Sequence, residues 1–347
     1  MSEAMYHLGI ATSRCLAVVA TGDEVYREKL LPGAIVTRVS ASHVRVGTFE
    51  YFAARGQMDV VKKLADFVIQ RHYPELIGSD DKYRGLLNAV ITRHIALINH
   101  WLRVGFIHGV MNTDNTLLSG DTIDYGPCAM LGVYHPATVF SSIDRRGRYA
   151  FGQQAHIMQW NMARLAECLM PLFTGDDHQS LSHAEEDIKA IPELHMTAFV
   201  AMMNRKLGFT HSLFSEQWVA DFLQRMQSKQ LDYTTTFKAL TDNAKSSTED
   251  TVLMSQLGDF YQQWRQQLIS ADLETIHQTM ATHNPIVIAR NHDVEKVLTA
   301  AVEDKNLGPF NTLLQVLQSP YQITAHTAQF QQPAADYDAS YQTFCGT

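Results

Sequence analysis

Three side chains in one short stretch are of types that can do chemistry together: Asp114, Asn115 and, nine residues further on, Asp124. A carboxylate and an amide carbonyl are hard oxygen donors, suited to a cation such as Mg2+ that keeps several of its waters. A second carboxylate can take a proton from an attacking hydroxyl, or order that hydroxyl for attack. Asp124 begins the triplet Asp124-Tyr125-Gly126 after a hydrophobic run, where Gly126 lets the backbone turn sharply. Asx turns are the everyday use of Asp and Asn in loops, and Asp-x-Gly triplets are common turn formers. The signal lies in the combination, with His108 standing seven residues before Asn115.

The run His108-Gly-Val-Met-Asn-Thr-Asp-Asn115, followed by Asp124-Tyr125-Gly126, has the spacing of a kinase catalytic loop and metal loop. The position that should carry the catalytic Asp is Val110, which can neither accept a proton nor orient a hydroxyl. An acid appears instead at Asp114. The spacing therefore keeps the metal ligands and relocates the base, and the chemistry is not ordinary phosphorylation. His108 reads as a structural histidine bonded to backbone, and Asn112 as a shaper of the loop. Arg38 and Arg45 flank Ser40, Ser42 and His43, and their forks match phosphate geometry. Surface solvation or an internal ion pair is the alternative use of both. The basic run Asp144 to Arg148 could touch a protein substrate; a solvated loop is the simpler reading.

The elements that must position these residues follow from periodicity. Ala4, Met5 and Leu8 form one helical stripe that stops at Gly9. Thr12 to Ala20 and Gly33 to Val39 are β-rich runs separated by a loop over Thr21 to Pro32, so a hairpin or adjacent strand pair is expected. Ala41 to Gly47 is a polar connector. Helical spacing then runs from Thr48 to before Tyr73-Pro74, and again from Tyr83 to Val104, where Gly105 closes it. A short apolar step over Phe106 to Val110 leads into the Asn112 to Asn115 loop, with a short hairpin expected across Thr116 to Ile123. Tyr134 to Tyr149 reads as a loop, and Gln154 to about Val302 as mostly helical, with breaks near Gly175, Gly208 and Asn284-Pro285. Beyond Ile323 a mobile tail is expected.

With 46% hydrophobic and 18% charged residues, the 347-residue chain has the composition of a soluble globular protein. Its formal charge of −8 argues against a general nucleic-acid surface. No apolar run approaches the ~20 residues needed to span a bilayer, so no membrane association is expected. The amino terminus lacks the pattern of a secretory signal. Cys15, Cys128, Cys168 and Cys345 have no C-x-x-C spacing, which disfavours zinc and fits a reducing, cytoplasmic setting.

Phe106-Ile-His-Gly-Val-Met-Asn-Thr-Asp-Asn115, together with Ile123-Asp-Tyr-Gly-Pro127, closely resembles the selenoprotein O family. The resemblance extends through Ser2-Glu-Ala-Met5, Thr37-Arg-Val39, Ser42-His-Val-Arg-Val-Gly47, Lys206-Leu-Gly-Phe209, Asp232-Tyr-Thr234 and Arg290-Asn291. It implies an α+β, protein-kinase-like fold: a remnant of the N-lobe sheet over residues 1–47, a helical C-lobe over 48–323 and a flexible tail over 324–347 carrying Cys345. It further implies transfer of AMP from ATP to Ser, Thr or Tyr hydroxyls of proteins, with Mg2+ or Mn2+. Carried over by position, Asp114 is the proton acceptor, Asn115 and Asp124 are metal ligands, and Arg38, Arg45 and Asp124 contact the nucleotide.

Two departures stand out. The family's upstream glycine-rich loop, strand Lys and helix Glu have no counterpart here, so the chain reads as a fragment expected to bind ATP weakly and to have little or no activity alone. Some bacterial members pair the near-terminal Cys with a Cys in the loop after the D-Y-G triplet, and that position is Phe140. The alternatives are a non-catalytic interaction module, UMP transfer, or a small-molecule phosphotransferase, against which Val110 weighs.

Overall fold

The computed structural model describes residues 1–26, 30–269 and 271–344. Helix α1 (Ser2–His7) ends as expected, with Gly9 at φ +76° and Ala4, Met5 and Leu8 buried. It leads into strand β1 (Arg14–Tyr26), which pairs antiparallel with β2 (Leu30–Val39) in a register running from Arg14↔Val39 to Tyr26↔Leu30. The strands continue through most of the stretch expected to be a loop. A pairing irregularity between Ala20 and Glu24 absorbs the Gly22 turn signal, and Pro32 is tolerated because the ribbon has only two strands, leaving an outer edge on each. Both faces are exposed, Gly33 excepted. A bidentate Arg14–Glu3 pair at 2.8 and 2.7 Å ties its base to α1.

The connector ends at α2 (Val46–Ala53), followed by α3 (Met58–His72) and α4 (Lys82–Val104). Helix α4 is the axis of the body. Its stripe of Leu86, Leu87, Val90, Ile91 and Ile98 is at most 2% exposed, each side chain contributing ~1.5–3 kcal/mol by leaving water. Gly105 at φ +80° ends it in the left-handed conformation, where its missing Cβ also spares a contact 3.2 Å from Leu131. Two-residue strands β3 (Phe106–Ile107) and β4 (Ala129–Met130) then pair antiparallel.

Helices α5 (Gln154–Leu169) and α6 (Asp177–Lys206) pack against α4. Asp176 caps α6, its carboxylate accepting from Gln179 N at 2.8 Å. Pro192 lies inside α6 and cannot donate to the carbonyl of Ile188; Gln159 of α5 donates to that oxygen instead, at 3.0 Å. The body continues through α7 (Glu216–Ser228), α8 (Tyr233–Asn243), α9 (Thr251–Leu257), α10 (Asp259–Leu268), α11 (Leu273–His283), α12 (Asn291–Glu303) and α13 (Gly308–Leu317). Arg290, just before α12, donates to both oxygens of buried Asp232 at 2.9 and 3.1 Å, and Asp232 caps α8.

Among the described residues beyond Ile323, several are packed against the body. Thr327 and Phe330 are buried, and α14 (Ala335–Ser340) is tied to α12 by Asn291 Nδ2 donating to Asp338 at 2.9 Å. Thr343 then bonds the backbone of Phe140 and Ser142 at 2.8 and 2.9 Å. The pull comes from distant partners, invisible to local periodicity. Cys345 lies outside the described residues. Among the described residues the architecture is mixed α+β, mostly helical with two small two-stranded sheets, and no helix is long and apolar enough to cross a membrane.

Candidate active site

The His108 loop and the Asp124 loop are joined by their backbones. His108 is 1% exposed, receives Gln154 Oε1 on its N–H at 3.0 Å, and directs Nε2 to the carbonyl of Ile123 at 2.8 Å. Burial pushes its pKa down, which keeps the ring neutral and donating. Gly109, at φ +84°, lies so close to Pro127 that a Cβ would meet the Pro127 carbonyl carbon at 3.0 Å. His108 therefore clamps the segment carrying Asp124, the structural role read from the sequence.

Asp114 and Asn115 sit on a 3-10 turn (Thr113–Asn115) after exposed Asn112, whose carbonyl accepts the Asn115 N–H at 3.0 Å. Asn115 Nδ2 donates to Val110 O at 3.0 Å, which orients the amide and leaves its oxygen for a ligand. Asp114 is exposed. Its carboxyl lies against Gly47 in the first turn of α2, where a Cβ would be 3.1 Å from Asp114 Cγ and nearer still to Oδ1. A glycine in a helical first turn forfeits propensity, and the close approach of Asp114 accounts for it.

No hairpin forms across Thr116 to Ile123. Leu117 instead forms an antiparallel bridge with Arg45, and Thr122 a parallel one with Thr12. The turn at Ser119-Gly120 leaves too few residues for a self-paired ladder, while segments on either side offer free backbone. The exchange serves the site. It fixes the entry of α2 through Val46 N donating to Thr116 O at 2.9 Å, and it holds Arg45 beside the Asp114 turn. Arg45 is half-buried, and its Nε has no hydrogen-bond partner.

Arg38 approaches from β2, with its guanidinium 3.4 Å from Asp124 Oδ1. Ser40 Oγ donates to Asp121 at 2.9 Å, and Asp121 also accepts from Ser119, so the end of β2 is pinned two residues beyond Arg38. Asp124 itself has φ +63°, a conformation that costs a non-glycine residue ~1 kcal/mol or more. The next residue is anchored below it, Tyr125 OH meeting Thr12 Oγ1. A cleft of about 880 Å³ opens here, lined by Arg38, Asp124, Gly126, Glu295 and Tyr341 among others. Asp114, Asn115 and Arg45 do not line it; the first two stand on the neighbouring turn, whose loop is joined to the Asp124 segment through His108, and Arg45 lies at the entry of α2.

The site thus holds one strained carboxylate, one oriented amide oxygen, one further carboxylate and two arginines. Among the described residues no three His, Cys, Asp or Glu side chains form a metal-holding group. A cation held by Asn115 and Asp124 would therefore complete its shell with water and ligand oxygens, the habit of Mg2+. The orphaned Arg45 Nε and the free Asn115 oxygen fit such a ligand. Gly47, Asp121, Thr12 and Gln154 were missed by sequence reasoning. Only Gly47, a glycine at the start of a helical pattern, offered a signal.

Proteins named protein nucleotidyltransferase YdiU from Teredinibacter turnerae, Bradyrhizobium diazoefficiens and Bacillus mycoides are 47%, 45% and 44% identical to this chain. Each alignment covers 100% of the chain and 72–73% of the relative. The chain is a nucleotidyltransferase. A family model described as Protein adenylyltransferase SelO matches residues 1–318, and the chain belongs to that family.

Proposed function

We propose that the chain is a protein-kinase-like adenylyltransferase that moves AMP from ATP to Ser, Thr or Tyr hydroxyls of proteins in the cytoplasm. The observation that carries the reading is the Arg38–Asp124 pair at the mouth of the cleft, beside a turn that presents an acid where Val110 cannot act. Asp114 takes the proton of the acceptor hydroxyl, whose oxygen attacks the α-phosphorus as pyrophosphate leaves. Arg38 and Arg45 offer forked donors to the phosphate oxygens. Asn115 and Asp124 would hold Mg2+ or Mn2+, which supplies neutralisation of the phosphate charge. Membership of a family described as protein adenylyltransferases favours adenylyl over uridylyl transfer.

The test uses ATP labelled at the α- or the γ-phosphorus with a mixed protein acceptor and long incubation. The α-label should reach protein and the γ-label should not, with Asp124→Ala abolishing incorporation. Transfer of the γ-label would make the chain a phosphotransferase. No transfer of either label would favour an interaction module.

A further inference from the structure

A second pocket, of about 490 Å³, opens where α4, α6 and α11 end, and it shares no lining residue with the Arg38–Asp124 cleft. His7, His100, Arg103, Arg205 and His283 line it, and no Asp or Glu does. Its apolar wall includes Ala96, Ala198, Ala201 and Met202.

Cations in the last turn of a helix complement the negative end of its dipole, and part of this cluster is used that way. Arg103 donates to His283 O at 3.2 Å, Leu8 O at 2.6 Å and the Tyr321 hydroxyl at 2.7 Å. Buried Lys206 donates to Arg103 O at 2.9 Å. These bonds answer the helix ends and leave other groups unanswered. The Arg103 Nε–H and the Asn99 Oδ1 are buried without partners, and both residues are about 5% exposed. Arg205 is exposed and forms no ion pair among the described residues. His283 uses Nδ1 on Thr279 O at 2.7 Å, which turns Nε2 free. Burial, and the charges of Arg103, Arg205 and Lys206, hold its pKa below the ordinary value.

We propose that this pocket binds a small organic anion with two or more negative charges, a phosphate ester or a polycarboxylate. Its charges sit among Arg205, the Arg103 Nε–H and the His283 ring, and its carbon skeleton rests on the alanine and methionine wall. Such a ligand ties together the ends of α4, α6 and α11. It also reverses the electrostatic pressure on His283, so binding takes up a proton and tightens as pH falls. The charged and titratable groups sharing the pocket with His283 are Arg103 and His100 from α4, Arg205 with Lys206 behind it from α6, His7 from α1, and Tyr321. The Glu3 carboxylate lies 3.9 Å from His7.

The test is titration of the chain with inorganic phosphate and with citrate at constant ionic strength, read by calorimetry and by the imidazole NMR signals. Saturable binding should move the His283 ring signals and, referred to the concentration of the multiply charged anion at each pH, tighten at lower pH. Losing a charge-assisted hydrogen bond in Arg205→Gln or His283→Gln should weaken it roughly tenfold or more. Arg205 is exposed, so its variant keeps the fold; an unchanged melting temperature checks this. Binding should persist in Arg38→Gln. No saturation beyond a chloride control, or full binding in Arg205→Gln, overturns the proposal. So does loss in Arg38→Gln, which would put the anion in the nucleotide cleft.

Discussion

Replacing Gly47 by Ala separates the chemistry of this site from its stability. Gly47 has an ordinary helical φ in the first turn of α2, so the backbone accepts Ala, and helix propensity favours it by about 1 kcal/mol. The new methyl group would stand 3.1 Å from Asp114 Cγ and closer to Oδ1. The Asp114 backbone N lies 3.4 Å away, in ordinary contact, so the fold has no need to move. The exposed carboxyl gives way by roughly 1 Å to restore contact distance. A reacting group misplaced by about 1 Å can cost ~100-fold in rate. Gly47→Ala should therefore melt at or above the wild-type temperature and lose about two orders of magnitude in single-turnover incorporation of α-labelled ATP. Nucleotide affinity should hold, because Arg38 and Asp124 are untouched. Wild-type turnover in a stably folded Gly47→Ala protein would refute the placement of Asp114 as the proton acceptor.

Arg38→Gln should do the opposite to binding. Its ion pair with Asp124 is about two-fifths exposed on the Arg side, and pairs of that kind contribute ~0–1 kcal/mol, so thermal stability should barely change. Calorimetric affinity for ATP should drop roughly tenfold or more with the phosphate contact gone. Arg290→Met strips buried Asp232 of its bidentate partner and should cost ~3–5 kcal/mol by denaturant titration, with Arg290→Met/Asp232→Asn recovering much of it. Stability should also fall in acid. Burial holds His108 below its ordinary pKa and pushes His94 down to about 4, so the folded state keeps both neutral while the unfolded chain takes up protons at ~6.5. The His94 contribution is complete above ~6.5 and is lost as pH falls from there toward about 4, at up to ~1.4 kcal/mol per pH unit, and His108 acts in the same direction. His94→Gln should flatten that limb.

How much was legible in the sequence depended on where each partner lies. Helix α4 was readable from Tyr83 to the Gly105 stop because its periodicity and its terminator are local. For His108 the sequence carried a structural histidine bonded to backbone, and the structure adds that its partner is the Ile123 carbonyl. Segments whose pairing is settled elsewhere were not readable. Thr116 to Ile123 looks like a hairpin, yet Leu117 and Thr122 bond Arg45 and Thr12, 72 and 110 residues away by their numbers. The stretch from Thr21 to Pro32 carries Gly and Pro, but the ribbon accommodates both through an irregularity and an open edge. Polar residues near the carboxyl terminus suggested a mobile tail, whereas Asp338 and Thr343 find their partners on Asn291 and Phe140.

In the proposed reaction Asn115 and Asp124 hold a divalent cation with the nucleotide that Arg38 and Arg45 grip. The most direct test is paramagnetic resonance of Mn2+ titrated into the chain with and without ATP, in wild type, Asn115→Ala and Asp124→Ala. This reading does not require turnover. Mn2+ should bind appreciably only with ATP, weaken in Asn115→Ala and be lost in Asp124→Ala while the fold persists. Mn2+–ATP binding of wild-type strength in Asp124→Ala would contradict the account.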